Sequence, residues 1–352
     1  MIFVGDIAHP FENPPMWSKM EKPWEKQAAT VNLEGALVSD SSPYLSQQVV
    51  FNNESICTGL KDFNVKVLNL SNNHIMDIPA AFAPTLKKIT EAGFLFTGAG
   101  SNLDEAQKPA IVSDRNTKWL LLGCGWETIQ SCPATSDKPG VNPFDPLNLL
   151  KAIKEWRKKE PDSVIVLMPH WNYELELYPQ PAHRQFAMAA IDAGADGVIG
   201  HHPHRVGGIE IYNGCPIVYS LGNWWMPHGV YFGGKLKFGD ETLLQLALEW
   251  NPGQDIVCHW FEYIRENHQM AYKSSESLLD SKQIHQLTPF SSMDSKMYQK
   301  WFPAHRVKRK ALPVYRDYNH HCRNSLKDWY VKKRQSGIML LERSGVRNYL
   351  NI

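Results

Sequence analysis

The sequence predicts an α/β protein in which helices cover a buried β-sheet. Three observations lead to this prediction: the chain has 352 residues, 43% of them are apolar, and short apolar runs alternate with stretches of helical periodicity. A continuous apolar run is typical of a strand buried on both faces, because a strand with one wet face alternates apolar and polar residues. Strands that alternate with helices indicate a sheet with helices packed on its faces.

The predicted elements follow one another along the first 250 residues. The strands are MIFVG, AATVNLEG, VKVLNLSNN, KWLLLGCG, DSVIVLMPHW, ADGVIGHH and PIVYSLGNWW, and the helices are APTLKKITEAG, NLLKAIKEWRKKE and HRQFAMAAIDAG. Each strand run ends in glycine, asparagine, histidine or an acidic residue. Open α/β sheets bind their ligands at the carboxyl ends of the strands, so we expect the functional site at this edge.

The charge is unevenly distributed along the chain. The net charge is +1, but residues 265–352 contain 17 Lys and Arg against 7 Asp and Glu. We therefore divide the chain into a main domain, residues 1–264, and a basic, aromatic-containing extension that packs on or near it. The basic runs at 306–310 and 332–334 favour an anionic partner or the acidic body of the chain itself. No nucleic-acid-binding module accompanies them, so we expect no nucleic acid as partner.

Composition also predicts a cytoplasmic location and excludes several classes of protein. No run of about 18 apolar residues predicts a membrane span, and Met1 opens directly into a strand-like run, unlike a signal peptide. The six cysteines lie far apart, which favours reduced thiols. The sequence has no P-loop, dinucleotide-binding fingerprint or nucleophile elbow.

Polar residues at the predicted strand ends form a mixed set of carboxylate, amide and imidazole groups. They are Asp6, Glu34, Asn72, Asn73, His74, His170, His201, His202, His204 and Asn223. Such donors suit manganese, iron or zinc. Two cations about 3.5–4 Å apart need a bridging carboxylate because dications repel each other, and Glu34 is the natural bridge. If the segment is extended, His202 and His204 project from one face and reach the same site, whereas His201 points away.

Each of these residues also has a structural interpretation. A single histidine at a strand end is more often hydrogen-bonded than metal-bound, Asp6 could be a turn residue, and Glu34 could cap a helix. Trp171 and Trp224 follow proposed site residues. Their indoles could stack on sugar rings at the rim of the site or pack in the core.

The order of the motifs resembles the CapA family of poly-gamma-glutamate capsule biosynthesis proteins, which is similar to the calcineurin-like metallophosphoesterases. The matching motifs are GD, NLEG, NNHxxD, FTGAGSNLDEAQKPAIV, HWxxE, IDAGADGVIGHHPH and YSLGN, within about residues 1–250. The resemblance implies a four-layer α/β/β/α sandwich, metallophosphoesterase-like, whose loops hold one or two divalent metal ions.

The resemblance also implies roles for individual residues. The metal ligands would be Asp6 and His204 for the first ion, Asn73, His170 and His202 for the second, and Glu34 between them. The catalytic residues would be His74, which stabilises charge or protonates the leaving group, and Asp77, which orients it. The expected substrate contacts are Trp171, Glu174, Asn223 and Trp224.

The start of the chain departs from the phosphoesterase pattern. Those enzymes usually begin D-x-H, whereas this chain has Asp6-Ile7-Ala8, and His9 lies one residue too far along a regular strand. We therefore expect the first metal ion to be short of protein ligands and to bind more weakly than the second.

The implied function is that of a metal-dependent hydrolase acting on a phosphoester, with an amide bond as the other candidate. Its substrate would be an anionic polymer or glycan, in the synthesis or processing of a capsular or cell-surface polymer such as poly-gamma-glutamate or a polysaccharide. The alternative is a non-catalytic metal-binding accessory protein that docks on a membrane-associated synthase, peripheral to the inner membrane.

Overall fold

The structure, a computed structural model, describes residues 1–17, 20–24, 26–307 and 312–343, and side chains up to residue 338. The strands are β1 Ile2–Ile7, β2 Ala29–Leu33, β3 Ala36–Val38, β4 Phe51–Asn53, β5 Val65–Asn69, β6 Leu95–Thr97, β7 Ala99–Gly100, β8 Ala110–Asp114, β9 Thr117–Gly125, β10 Gly140–Val141, β11 Val164–His170, β12 Gly197–Ile199, β13 Ile209–Tyr212, β14 Cys215–Val218, β15 Asn223–Trp225, β16 Leu244–Glu249, β17 Val257–Ile264 and β18 Gln269–Ser277. The helices are α1 Ile56–Asp62, α2 Pro79–Glu91, α3 Leu103–Ala106, α4 Pro146–Lys159, α5 Pro181–Asp192, α6 Tyr231–Gly234, α7 Lys282–Leu287, α8 Ser295–His305 and α9 His321–Arg343. Short 3₁₀ turns occupy Glu127–Ile129 and Asp240–Thr242.

Two large sheets form the centre of the molecule. The first has the order β18-β17-β16-β1-β2-β5-β6, and β15 pairs with the carboxyl end of β1. Strands β1, β2, β5 and β6 are parallel, whereas β16, β17 and β18 form an antiparallel meander. The second sheet has the order β13-β14-β12-β11-β9-β8, with parallel central strands and antiparallel edges. Parallel strands bring their carboxyl ends to one edge, which is where the predicted site residues lie.

The two sheets face each other across an apolar layer. Phe3 of β1 contacts Trp119 of β9, with ring centroids 5.8 Å apart. Phe82 of α2 belongs to the cluster on the outer face of the first sheet, and Phe186 of α5 to that of the second. Each fully buried aromatic side chain of this kind contributes about 1.5–3 kcal/mol to stability. The predicted four-layer α/β/β/α order is confirmed.

The first sheet continues past residue 264. The boundary predicted between 264 and 265 lies in the turn of the β17–β18 hairpin, so the last strand of the sheet comes from the basic segment. Beyond β18, Phe290, Tyr298 and Tyr315 are buried in the same cluster as α5. Residues 308–310 of the predicted basic run lie outside the described residues. Within the described part of the chain, every helix is too short or too polar to cross a lipid bilayer.

A close approach of two backbones positions the site. β1 and β15 lie side by side because Gly5 has no side chain; a Cβ there would be 1.9 Å from the carbonyl oxygen of Gly222. The resulting register pairs Asp6 with Asn223 on one side and with Asn32 on the other. Three polar residues therefore lie side by side at the carboxyl edge of the first sheet.

Candidate metal centre

Three donor atoms lie around Nε2 of His170, the last residue of β11. Its Nε2 lies 2.9 Å from Asn73 Oδ1, 3.2 Å from His202 Nδ1 and 3.4 Å from Glu34 Oε1. Metal bonds of about 2.0–2.2 Å place neighbouring ligand atoms roughly 2.8–3.6 Å apart, from octahedral to tetrahedral angles. Each of these three distances to His170 Nε2 therefore suits two ligands of one cation. We call Glu34, Asn73, His170 and His202 the second donor set, after the ion predicted there.

A first donor set lies on the other side of Glu34. One ligand atom each from Asp6, Glu34 and His204 lie within 4.8 Å of one another, and all three residues are buried. His204 Nδ1 is 3.5 Å from Asp6 Oδ2 and 2.9 Å from Asn223 Oδ1. Since Glu34 belongs to both sets, the two groups of donors meet at one carboxylate and could hold a metal ion there.

Asn32 links the two carboxylates. Its Nδ2 donates to Asp6 Oδ1 at 2.8 Å and, more weakly, to Glu34 Oε1 at 3.3 Å. Asn72 supports the same turn by donating to the carbonyl of Leu33 at 2.8 Å. Asn32 is not among the site residues predicted from the sequence. Its position two residues before Glu34, in the strand next to Asp6, was the signal that could have indicated one.

The electrostatics of these residues suit a bound cation. Glu34 is fully buried, its Oε2 has no hydrogen-bond partner among the described residues, and burial raises its pKa to about 7. Burial, with the nearby charge of Glu34, also raises the pKa of Asp6. Burial lowers the pKa values of His170 and His202, so both imidazoles stay neutral. Neutral imidazoles and costly buried carboxylates are the groups that a divalent ion stabilises.

The histidine loop after β12 is not extended, which corrects the predicted geometry. His202 and His204 have φ angles of 98° and 59°, in the left-handed region. Such a conformation costs about 1–3 kcal/mol per non-glycine residue and persists where the surroundings impose it, often at functional sites. The backbone N–H of His202 donates to Asp6 Oδ2 at 3.2 Å. The two imidazoles therefore reach different donor sets. His201 between β12 and this turn is fully buried.

His74 and Asp77 lie beside the donor sets as a hydrogen-bonded pair. His74 Nδ1 is 2.8 Å from Asp77 Oδ2, which also accepts the backbone N–H of Val50. Burial alone would lower the pKa of His74, but the carboxylates of Asp77, Glu34 and Glu174 outweigh this effect and raise the pKa to about 9. The ring is therefore a cation at neutral pH, close to both donor sets and to the half-buried Glu174.

His9 does not supply the imidazole that the first donor set lacks. Its Nε2 donates to the carbonyl of Asn13 at 2.9 Å, and its Nδ1 accepts from Trp225 Nε1 at 3.1 Å. Both ring nitrogens are engaged away from Asp6.

The structure corrects the expectation that Trp171 and Trp224 contact a glycan. Trp171 is 1% exposed, stacks on His183 with an interplanar angle of 5°, and donates to the carbonyl of Tyr219. Trp224 is 0% exposed and packs against Phe261. Neither indole offers an open ring face to a sugar, so both are core residues.

The family model "Bacterial capsule synthesis protein PGA_cap" matches residues 3–227, which include the whole of both donor sets. The chain belongs to this family. Two curated relatives of the chain carry related names. "PGA biosynthesis protein CapA" of Bacillus subtilis is 34% identical over 247 residues, covering 70% of this chain and 58% of the relative. "Capsule biosynthesis protein CapA" of Bacillus anthracis is 32% identical over 201 residues, covering 56% and 48%.

The name of a third relative describes an accessory protein. "Probable polyglutamine synthesis accessory protein" of Mycobacterium tuberculosis is 28% identical over 211 residues, covering 55% of this chain and 54% of the relative. The chain thus spans about half the length of the curated relatives it matches.

Among solved structures, two similar folds are a 5'-nucleotidase precursor from Thermus thermophilus and the calcineurin-like phosphoesterase YfkN from Bacillus subtilis. The first has a TM-score of 0.41 at 14% identity and covers 79% of this chain and 54% of that chain. The second has a TM-score of 0.37 at 12% identity and covers 85% and 98%. The four-layer order of the PGA_cap chain is established by its own strand pairing and core clusters.

Proposed function

We propose that this protein is a divalent-metal-dependent hydrolase that cleaves a phosphoester during the synthesis or processing of a capsular or cell-surface polymer. The observation that carries the proposal is the position of the His74–Asp77 pair beside two donor sets that share Glu34. Membership of the PGA_cap family supports the link to a capsule polymer, such as poly-gamma-glutamate. An amide bond in such a polymer is the second candidate for the scissile bond.

The residues of the two donor sets would hold manganese, zinc or iron. The first ion would be bound by Asp6 and His204, the second by Asn73, His170 and His202, and both by Glu34. Ions bound there supply positive charge that lowers the pKa of a coordinated water and neutralises developing negative charge on the substrate. Burial of all these donors apart from the half-buried Asn73 keeps competing water away from them.

The chain's own contribution to proton transfer comes from His74. Asp77 accepts a hydrogen bond from Nδ1–H, which fixes the ring and leaves Nε2–H to donate its proton to a leaving-group oxygen. In the metal-free protein a pKa of about 9 keeps the ring protonated at neutral pH. The half-buried Glu174 remains the predicted contact for the substrate on this side.

The proposal is tested by removing metals from the full-length protein with a chelator and then adding Mn²⁺, Zn²⁺ or Fe²⁺ one at a time. We expect turnover of an aryl phosphate or an aryl phosphodiester to return with at least one ion. A parallel assay with a γ-glutamyl amide distinguishes the two candidate bonds. Folded protein that binds metal and turns over none of these compounds would contradict the proposal.

Replacing His74 with glutamine is expected to lower kcat about 100-fold while the metal content stays unchanged, because general-acid groups contribute about 10²–10⁴-fold. Glutamine keeps a polar group at the position but cannot donate a proton as an acid. The measurements are steady-state kinetics and metal analysis of the same sample. His285→Gln, at an exposed position of α7, is the matched control. Unchanged kcat in His74→Gln would remove this residue from the mechanism.

A second candidate function is that of a non-catalytic accessory protein, which the name of the Mycobacterium tuberculosis relative favours. In that case the metal would stabilise the folded chain by binding only to it, and the basic C-terminal segment would bind an anionic partner or a polymer synthase. Complementation of a capsule-deficient strain separates the two. His74→Gln fails to restore the polymer if the protein is an enzyme and restores it if the protein is an accessory factor.

A further inference from the structure

The first donor set has fewer protein ligands than the second. Asp6, His204 and the shared Glu34 contribute to it, and His9 is engaged elsewhere. We propose that Asn223 is the missing ligand and binds the first metal ion through Oδ1. This inference rests on the proposed function, because it requires that the first donor set holds a metal.

The distances around His204 support this assignment. Its Nδ1 is 2.9 Å from Asn223 Oδ1 and 3.5 Å from Asp6 Oδ2. In the second donor set, Asn73 Oδ1 also lies 2.9 Å from an imidazole nitrogen, that of His170. Each set thus contains an amide oxygen 2.9 Å from an imidazole nitrogen, within the range of roughly 2.8–3.6 Å expected for two ligands of one ion. Asn223 occupies in the first set the place that Asn73 occupies in the second.

Backbone pairing and burial hold Asn223 in this position. It is the register partner of Asp6, on the strand that approaches β1 at Gly5. Asn223 is 1% exposed, and its Nδ2 is buried with no hydrogen-bond partner among the described residues. The buried amide therefore has its oxygen in the donor set, while its nitrogen makes no bond that would fix the group for another purpose.

The rival explanation is that Asn223 only orients His204. In that case His204 Nδ1–H donates to Asn223 Oδ1, and the ring binds metal through Nε2. Both explanations predict weaker metal binding when Asn223 is replaced by alanine. They differ when His204 is absent, because a residue that acts through His204 then has nothing to orient.

The experiment is a double-mutant cycle on the full-length protein with Mn²⁺ as the probe. Mn²⁺ affinity and stoichiometry are measured by titration calorimetry and by the electron paramagnetic resonance signal of free Mn²⁺. The variants are Asn223→Ala, Asn223→Asp, His204→Ala and the combination of Asn223→Ala with His204→Ala. Asn53→Ala is the control, since Asn53 is a buried asparagine that donates to Ser41 and lies outside both donor sets.

We expect Asn223→Ala to weaken one Mn²⁺ site by about tenfold or more, since even the outer partners of metal ligands are worth about 10–100-fold. Asn223→Asp should retain or tighten that site because it keeps the donor oxygen and adds charge. In the His204→Ala background, Asn223→Ala should weaken the site again by a similar factor.

Two results would overturn the inference: an unchanged affinity in Asn223→Ala, or no second effect of Asn223→Ala once His204 is removed. Both leave the proposed function standing. If the wild-type protein binds no Mn²⁺, Zn²⁺ or Fe²⁺, the proposed function fails and Asn223 has no ion to bind. If Asn223→Ala does not fold, as judged by circular dichroism, the Asn223→Asp variant decides: a loss of the site in a folded Asn223→Asp protein contradicts a ligand role.

Discussion

Replacing Glu34 with glutamine is expected to abolish tight binding of divalent ions and, at pH 8, to stabilise the metal-free protein. Glu34 is fully buried and belongs to both donor sets, so its negative charge is the group that both ions would share. Without it, two cations at about 3.5–4 Å have no bridging anion between them. We expect metal-dependent turnover to fall at least about 10³-fold, from the loss of both ions together.

The gain in stability of the metal-free protein comes from removing a buried negative charge that no ion neutralises. Burial raises the pKa of Glu34 from about 4.5 to about 7, so ionising it in the metal-free folded state is costly. A carboxyl with a raised folded-state pKa loses stability as the pH rises between the unfolded and folded values. By pH 8 that loss is complete, and each unit of pKa corresponds to about 1.4 kcal/mol. Glutamine carries no charge, and a gain of about 1–3 kcal/mol is expected after allowing for its buried amide.

Chemical denaturation at pH 5 and pH 8, with chelator and with Mn²⁺, measures both effects. The wild-type protein should gain stability from Mn²⁺ at pH 8, whereas Glu34→Gln should gain none. Glu262→Gln is the matched control and should resemble the wild type. Glu262 is a half-exposed carboxylate on β17 that pairs with Lys273 on β18. An equal response to Mn²⁺ in Glu34→Gln and wild type would show that the ion binds elsewhere.

The layered core was predictable because its strands are recognisable in the sequence as apolar runs. The strands from β1 to β14 that are buried on both faces follow that rule, and the helices between them follow helical periodicity. The end of the main sheet was not predictable from charge. The composition changes at residue 265, but the hydrogen bonds of the β17–β18 hairpin continue across it. Charge reports what a segment carries and says nothing about which strand it pairs with.

The site was predictable in its membership and less so in its geometry. Side-chain alternation in a strand explains the tryptophan correction: Asn223 faces the donor set, so the next residue, Trp224, faces the opposite side and enters the core. The left-handed turn at His202 and His204 was not predictable, because positive φ is uncommon for residues other than glycine and here the surrounding structure imposes it. The short distance between Asn223 and His204 likewise depends on tertiary packing.

Lowering the pH below 6.5 is expected to destabilise the metal-free protein, and replacing His183 with phenylalanine should reduce this acid sensitivity. The His183 ring stacks on Trp171 and contacts Phe144, and its Nδ1 is buried with no hydrogen-bond partner among the described residues. Burial lowers its pKa to about 3. Burial similarly lowers the pKa of His9 to about 4.

The sign follows from proton binding in the two states. An unfolded histidine takes up a proton below about pH 6.5, whereas the folded His183 stays neutral until about pH 3. The unfolded state therefore binds more protons over this window, and stability falls by about 1.4 kcal/mol for each pH unit and each such group. Asp6 and Glu34 act in the opposite direction. These two carboxyl groups are outnumbered by six buried histidines with lowered pKa values, so the net stability falls as the pH falls. The six are His9, His170, His183, His201, His202 and His204.

Denaturation curves between pH 4.5 and 8 in the presence of chelator provide the measurement. The wild-type free energy of unfolding should be greatest near pH 6.5 and fall on the acid side. His183→Phe keeps an aromatic ring in the stack and removes the titrating group, so from pH 7 to pH 5 it should lose about 2 kcal/mol less than the wild type. His321→Phe, at the exposed start of α9, should follow the wild-type pH dependence. Parallel curves for His183→Phe and wild type would show that His183 is protonated equally in both states, contrary to its enclosure by aromatic rings.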